Sequence, residues 1–219
     1  MITRRNLLLS GATLAGLTAI SATKRALGAD TEHDHTPHHD HITTPTPTHA
    51  HPGDLPYTPV VSPDVGTLPH TMEDGAKTFR LIAEPVKREF ARGMVVNTWG
   101  YNGQCPGPTI EAVEGDRVRL YVTNRLNEPT SMHWHGVLLP CGMDGVGGLT
   151  QPHILPGETY RYDFTLRQHG TQMYHPHSDE ALQMALGMMG FFVIHPKKPS
   201  RRIDRDYTIF LHEWHVQAG

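Results

Sequence analysis

The chain has 219 residues, a formal net charge of -3 at pH 7, 19% charged residues and 37% hydrophobic ones. So small a net charge, with no basic stripe, argues against a nucleic-acid partner. No stretch beyond the N-terminus approaches the ~20 consecutive apolar residues that a membrane-spanning helix needs.

In chain order, the first element is an export signal. Thr3-Arg4-Arg5-Asn6-Leu7-Leu8-Leu9 resembles the twin-arginine pattern, and an apolar run follows through Ile20. Lys24 and Arg25 precede the small residues Ala26, Gly28 and Ala29, where cleavage is expected. Residues 1–29 are therefore read as a signal and the mature protein as periplasmic. That route carries folded proteins, which fits a cofactor inserted before export.

Residues 30–74 read as a disordered linker rich in His, Pro and Thr. Between Asp30 and Pro69 stand seven histidines (His33, His35, His38, His39, His41, His49 and His51) among Thr, Pro and Asp. With almost no aliphatic residues, such a stretch cannot bury enough surface to offset its ordering entropy. It is either a loose collector of metal ions or a solvated spacer.

Residues 75–199 have the length and texture of one all-β domain. Strands are expected at 78–84, 93–99, 117–123, 159–166, 171–175 and 190–195, where half-buried alternation is clearest in Arg117-Val118-Arg119-Leu120-Tyr121-Val122. Turn signals separate them at Asn102-Gly103, Pro106-Gly107-Pro108, Glu114-Gly115-Asp116 and Pro156-Gly157-Glu158. Many short strands at such spacing predict an antiparallel sandwich or barrel. One short helix is expected after Ser178, its N-cap, with Asp179 and Glu180 in the first turn, ending at Gly187 or Gly190. Its Met184, Met188 and Met189 are either packing beside a site or soft ligands for copper(I).

Two histidine pairs carry the chemistry: His133-Trp134-His135-Gly136 and His175-Pro176-His177-Ser178. In an extended strand, residues i and i+2 point the same way, so each pair aims two imidazoles at one spot. Trp134 is then free to face the core, while Pro176 stiffens the second pair. Four imidazoles without a thiolate suit copper, zinc, iron or nickel rather than magnesium or calcium. His153, His169 and His195 lie outside the pairs and read as structural or exposed. His212-Glu213-Trp214-His215 is one residue short of the zinc-protease pattern and looks strand-like. A cupin would place a Glu a few residues after the first pair, where Val137, Leu138, Leu139 and Pro140 stand.

Cys105 and Cys141 are the only cysteines. An even count in an oxidising compartment predicts a disulfide between them. It would close a loop of about 37 residues, contributing ~3–4 kcal/mol in the chain-entropy model. The alternative, thiolate ligation of copper, would want a histidine beside a cysteine, and neither has one.

Taken together, these segments resemble the first domain of the multicopper oxidases, the laccase-like group built from cupredoxin domains. The resemblance runs through Tyr101-Asn102-Gly103-Gln104, Pro106-Gly107-Pro108-Thr109-Ile110, the first histidine pair and Met143-Asp144-Gly145. It continues through Leu149-Thr150-Gln151-Pro152 and Pro156-Gly157-Glu158 to Tyr174-His175-Pro176-His177-Ser178 and Gly187-Met188-Met189-Gly190. The Met-flanked second half looks most like bacterial periplasmic copper oxidases linked to copper tolerance.

The resemblance implies a cupredoxin-like Greek-key β-sandwich and a copper cofactor. It implies that His133 binds the type 2 copper of a trinuclear cluster, that His135 and His175 share one type 3 copper, and that His177 binds the other. Asp144 falls where the family keeps an acid associated with proton supply; otherwise it is a plain turn residue. The implied activity is oxidation of a small reductant, a phenol or cuprous ion, with oxygen reduced to water.

A complete enzyme of this kind needs eight cluster histidines and a Cys thiolate site for electron entry, and only the first-domain half is legible here. Residues 200–219, with a strand over 206–214, read as the start of a connection to a further domain. The remaining ligands are expected from C-terminal cupredoxin domains or a partner chain. The alternative function is a non-enzymatic periplasmic protein that binds or sequesters copper.

Overall fold

The computed structural model describes residues 57–216. The expected signal and most of the expected linker lie outside the described residues. Two β-sheets face each other, and their strands follow the alternation visible in the sequence. The larger sheet contains, in order, β2 (His70–Glu73), β3 (Ala76–Ala91), β6 (Arg117–Asn124) and β8 (Thr159–Thr165), with β4 (Met94–Tyr101) paired to the second half of β3. The smaller sheet runs β5 (Ile110–Val113), β10 (Gly190–His195), β9 (Gly170–His175), β7 (His133–His135). A short parallel ladder joins β1 (Val60–Val61) to β11 (Asp206–Tyr207).

Among the described residues the arrangement is an all-β, cupredoxin-like sandwich with one α-helix, α1 (Glu180–Ala185). It is not wholly antiparallel: β3 pairs β6 and β5 pairs β10 in parallel. Neither pair is consecutive in the chain, so a crossover joins its two strands. The turn Asn102-Gly103 has both residues at positive φ, 52° and 71°, while Tyr101 and Gln104 exchange backbone hydrogen bonds. That is the two-residue turn this dipeptide favours.

Trp134, fully buried on β7, holds the two layers together. Its ring lies 5.1 Å from Tyr162 and 6.1 Å from Phe164 on β8. It lies 6.3 Å from Tyr174 on β9 and 6.0 Å from Phe192 on β10. Because successive strand residues face opposite ways, a tryptophan buried this deeply forces His133 and His135 to the other face.

Four sequence expectations need correction. Residues 57–74 are not linker: Leu68 is buried in the core, β2 extends the larger sheet, and Glu111 accepts the Val60 amide at 3.0 Å. A few apolar residues in a polar stretch suffice once a sheet edge can take them. Of the expected strand over 206–214, only Asp206 and Tyr207 pair; beyond them the chain is held by rings, Phe210 on Phe191 at 3.8 Å and Trp214 against Phe90 at 4.8 Å.

The third correction is the disulfide. Both cysteines are free, Cys105 buried and Cys141 exposed. Cys105 packs against the chain leaving α1, where a Cβ on Gly187 would overlap its sulfur, whereas Cys141 opens the 3-10 turn Cys141–Met143 on the surface. Fourth, Ser178 does not cap α1. Asp179 takes that position in a left-handed conformation (φ 43°, ψ 51°), without a side-chain cap.

Candidate metal centre

The antiparallel ladder between β7 and β9 sets His133 opposite His175, Trp134 opposite Tyr174, and His135 opposite Met173. Directly paired residues share a face, so one register places two histidines of separate motifs side by side and both aromatic residues in the core. Burial grades across the cluster: His133 keeps 18% side-chain exposure, His175 3% and His177 38%.

Ring nitrogens of His133, His135 and His175 all lie within 4.8 Å of one another. Nδ1 of His135 stands 3.1 Å from Nε2 of His175. His133 occupies the middle, its ring centre 5.6 Å from that of His135, 5.2 Å from His175 and 5.4 Å from His177. The second pair does not work as two strand positions. β9 stops at His175, and His177 lies beyond it, its amide donating to Ser131 Oγ at 3.0 Å.

Backbone carbonyls fix the outer nitrogens. His133 Nδ1 donates to the Asp144 carbonyl at 2.7 Å, and His175 Nδ1 to the Pro176 carbonyl at 2.9 Å. Such bonds select the tautomer and leave the Nε2 lone pairs free. The Asp144 carboxylate approaches the same His133 Nδ1 at 3.5 Å. The strand and this loop meet so closely that a Cβ on Gly145 would overlap the Met132 carbonyl oxygen. Burial pushes the His175 ring below its ordinary value of 6.5, and the neighbouring His133 and His135 add to this against the opposing pull of the Pro176 carbonyl and Glu180.

Several supporting residues carry no recognisable sequence signal. Gln183 on α1 accepts from Thr130 Oγ1 and donates to the Pro129 carbonyl, each at 2.8 Å, tying the helix to the segment before β7. Ser178 pairs with His153 Nδ1 at 2.6 Å, which is why it is unavailable as a cap. Glu180 lies beside His175 and His177. Met188 and Met189 are buried, and Met188 belongs to the central core. His195, expected to be structural or exposed, is buried against Glu111 at 2.8 Å, and His169 is exposed.

The donor set fits copper. Two neutral nitrogens about 2 Å from a shared ion at an angle near 100° would stand about 3.1 Å apart, as His135 Nδ1 and His175 Nε2 do. Imidazole donors suit copper, zinc, iron and nickel alike, so the geometry alone selects a transition metal without choosing among them.

Comparisons with known proteins narrow the choice. The family described as multicopper oxidase matches residues 83–199, a span that includes both histidine pairs and Asp144. The chain is 46% identical over 114 residues to copper resistance protein A of Escherichia coli, covering 52% of this chain and 18% of that protein. It is 40% identical over 128 residues to L-ascorbate oxidase of Brassica rapa subsp. pekinensis, covering 56% and 22%. Among solved structures, a multicopper oxidase from Campylobacter jejuni, described as a metallo-oxidase, aligns with a TM-score of 0.57 at 33% identity over 68% of this chain and 32% of its own. One from Pseudomonas thermotolerans aligns at 0.55 and 41%, over 56% and 30%. The matched stretch thus spans about a fifth of these curated relatives.

Proposed function

This chain belongs to the multicopper oxidase family, and on that premise we propose that it supplies the first-domain half of a trinuclear copper site in an oxygen-reducing oxidase. The observation that carries this reading is the approach of His135 Nδ1 and His175 Nε2, two nitrogens from separate motifs at a spacing suited to one ion. His133 would hold the type 2 copper, His135 and His175 one type 3 copper, and His177 the other. Copper supplies the one-electron chemistry by which electrons from a small reductant reach oxygen. The remaining ligands and the electron-entry site belong to further cupredoxin domains or to a partner chain.

The chain's own groups have separate tasks. The carbonyls of Asp144 and Pro176 hold His133 and His175 in the tautomer that presents Nε2. The Asp144 carboxylate, about one-third exposed, stands between solvent and the His133 ring, where it can pass protons inward. Burial keeps His175 neutral and able to donate its lone pair. A phenol or cuprous ion is the proposed reductant, and export to the periplasm by the twin-arginine route is the proposed address. The similarity to copper resistance protein A supports copper as the metal the protein handles and does not choose between the two reductants.

The test compares the full chain with a His133→Ala/His135→Ala variant for copper retained after dialysis, and measures oxygen uptake by the protein as its own cell exports it. Loss of retained copper in the variant, with oxygen uptake driven by phenol or cuprous ion in the exported protein, is the expected result. Equal copper in both forms overturns the site. Copper retention without oxygen uptake overturns the oxidase and leaves a copper-sequestering protein.

A further inference from the structure

We propose that Glu180 is a positioning residue of the metal centre, a carboxylate that orients the His177 ring. The inference rests on the metal-site reading above. Glu180 Oε1 lies 3.7 Å from His175 Nδ1, and Oε2 lies 3.6 Å from His177 Nε2. His175 Nδ1 is already committed to the Pro176 carbonyl at 2.9 Å, so the ring left for Glu180 to orient is that of His177.

The need for such a group follows from where β9 ends. The ladder fixes His133, His135 and His175 through their own backbone pairing, but it stops at His175. His177 is anchored through its amide to Ser131, which places the backbone but makes no bond to the ring. A carboxylate at a ring nitrogen supplies the missing constraint, as carboxylates do behind many metal-binding histidines.

Glu180 is itself well placed to impose order. It is the first residue of α1, and Gln183, one turn on, is buried and bonded to Pro129 and Thr130. Helical residues three apart share a face, so the anchor and the carboxylate sit on the same side. Asp179 reaches this start through a left-handed conformation that a residue with a Cβ rarely adopts. An earlier helix start at Ser178 would have spared that turn. The chain takes the turn, and Glu180 arrives beside the histidines.

The experiment uses the full chain with nitrogen-15 in its histidines, as wild type, Glu180→Ala and Glu180→Gln. In the metal-free state, imidazole nitrogen spectra report the tautomer of each ring. The expected result is that Glu180→Ala shifts the His177 resonances toward an averaged tautomer while His133 and His175, each held by a backbone carbonyl, are unmoved, and Glu180→Gln, whose amide oxygen can still accept from one ring, largely restores them. Unshifted His177 signals in Glu180→Ala overturn the proposal.

Copper titration against a chelator then reads affinity, with the His133→Ala/His135→Ala variant defining binding elsewhere in the chain. Glu180→Ala should weaken the site by about 10–100-fold, the usual effect of losing a group that orients a ligand, and Glu180→Gln should recover most of it. A change of twofold or less overturns the proposal. If the wild type binds no more copper than the double variant, the metal-site reading fails, and the imidazole spectra still decide the role of Glu180.

Discussion

His135 and His175, 40 positions apart in the chain, bring Nδ1 and Nε2 to 3.1 Å although neither is the other's partner in the ladder. His175 pairs with His133, and His135 with Met173, so the contact is a diagonal one across two strands. Side chains as long as imidazole span that diagonal. Replacing either histidine by Ala should weaken copper binding by more than the ~10–100-fold expected for a supporting residue, as read by chelator competition. For exposed His135, the metal-free stability should change by no more than about 0.5 kcal/mol.

The depressed pKa of His175 makes the metal-free fold sensitive to acid in a defined direction. Its ring takes up a proton less readily when folded than when unfolded, chiefly through burial. Between the folded value and the ordinary 6.5 the unfolded chain binds more protons, so stability rises with pH across that window. The contribution is complete above 6.5 and is lost as pH falls below it. Denaturant titrations of wild type and His175→Gln from pH 5 to 7.5 should show the steeper pH slope in the wild type; equal slopes would refute it.

Trp134 should dominate the stability of the sandwich. It is fully buried, packs against rings from three strands, and its indole N–H has no partner. Trp134→Ala should cost about 3–5 kcal/mol in urea unfolding. Trp134→Phe should cost clearly less, since it keeps most of the apolar surface and removes an unsatisfied donor.

The two thiols should behave independently. Exposed Cys141 should react with a disulfide reagent in the native protein, whereas Cys105, whose thiol burial pushes up, should react only on unfolding. The thermal midpoint should be the same with and without reductant. A reductant-dependent midpoint would show that the cysteines are bridged after all.

Much of the site was legible because it depends on local periodicity. A His-x-His pair around a tryptophan states its own geometry, since alternation sends the ring inward and the imidazoles outward. The pair His175-Pro176-His177 was less readable. The strand ends inside it, and only contacts with Ser131 and Glu180, distant in the fold or in role, place the second histidine. Ser178 carries the sequence mark of a helix cap, yet His153 claims its hydroxyl. Capping preference is a weak local bias that one tertiary hydrogen bond overrides.

By itself the sequence determined the all-β class, the Asn102-Gly103 turn, the short helix, and the turning of His133 and His135 to one face of their strand with Trp134 on the other. These follow from side-chain alternation and turn chemistry, which act over a few residues. Only the tertiary structure decided that residues from Tyr57 onward join the fold, that Cys105 and Cys141 stay apart, and that β7 meets β9 in the register that opposes His133 to His175. Those outcomes depend on which surfaces meet across long separations. There the burial of a few apolar groups such as Leu68 and Trp134 outweighs composition and parity of cysteines.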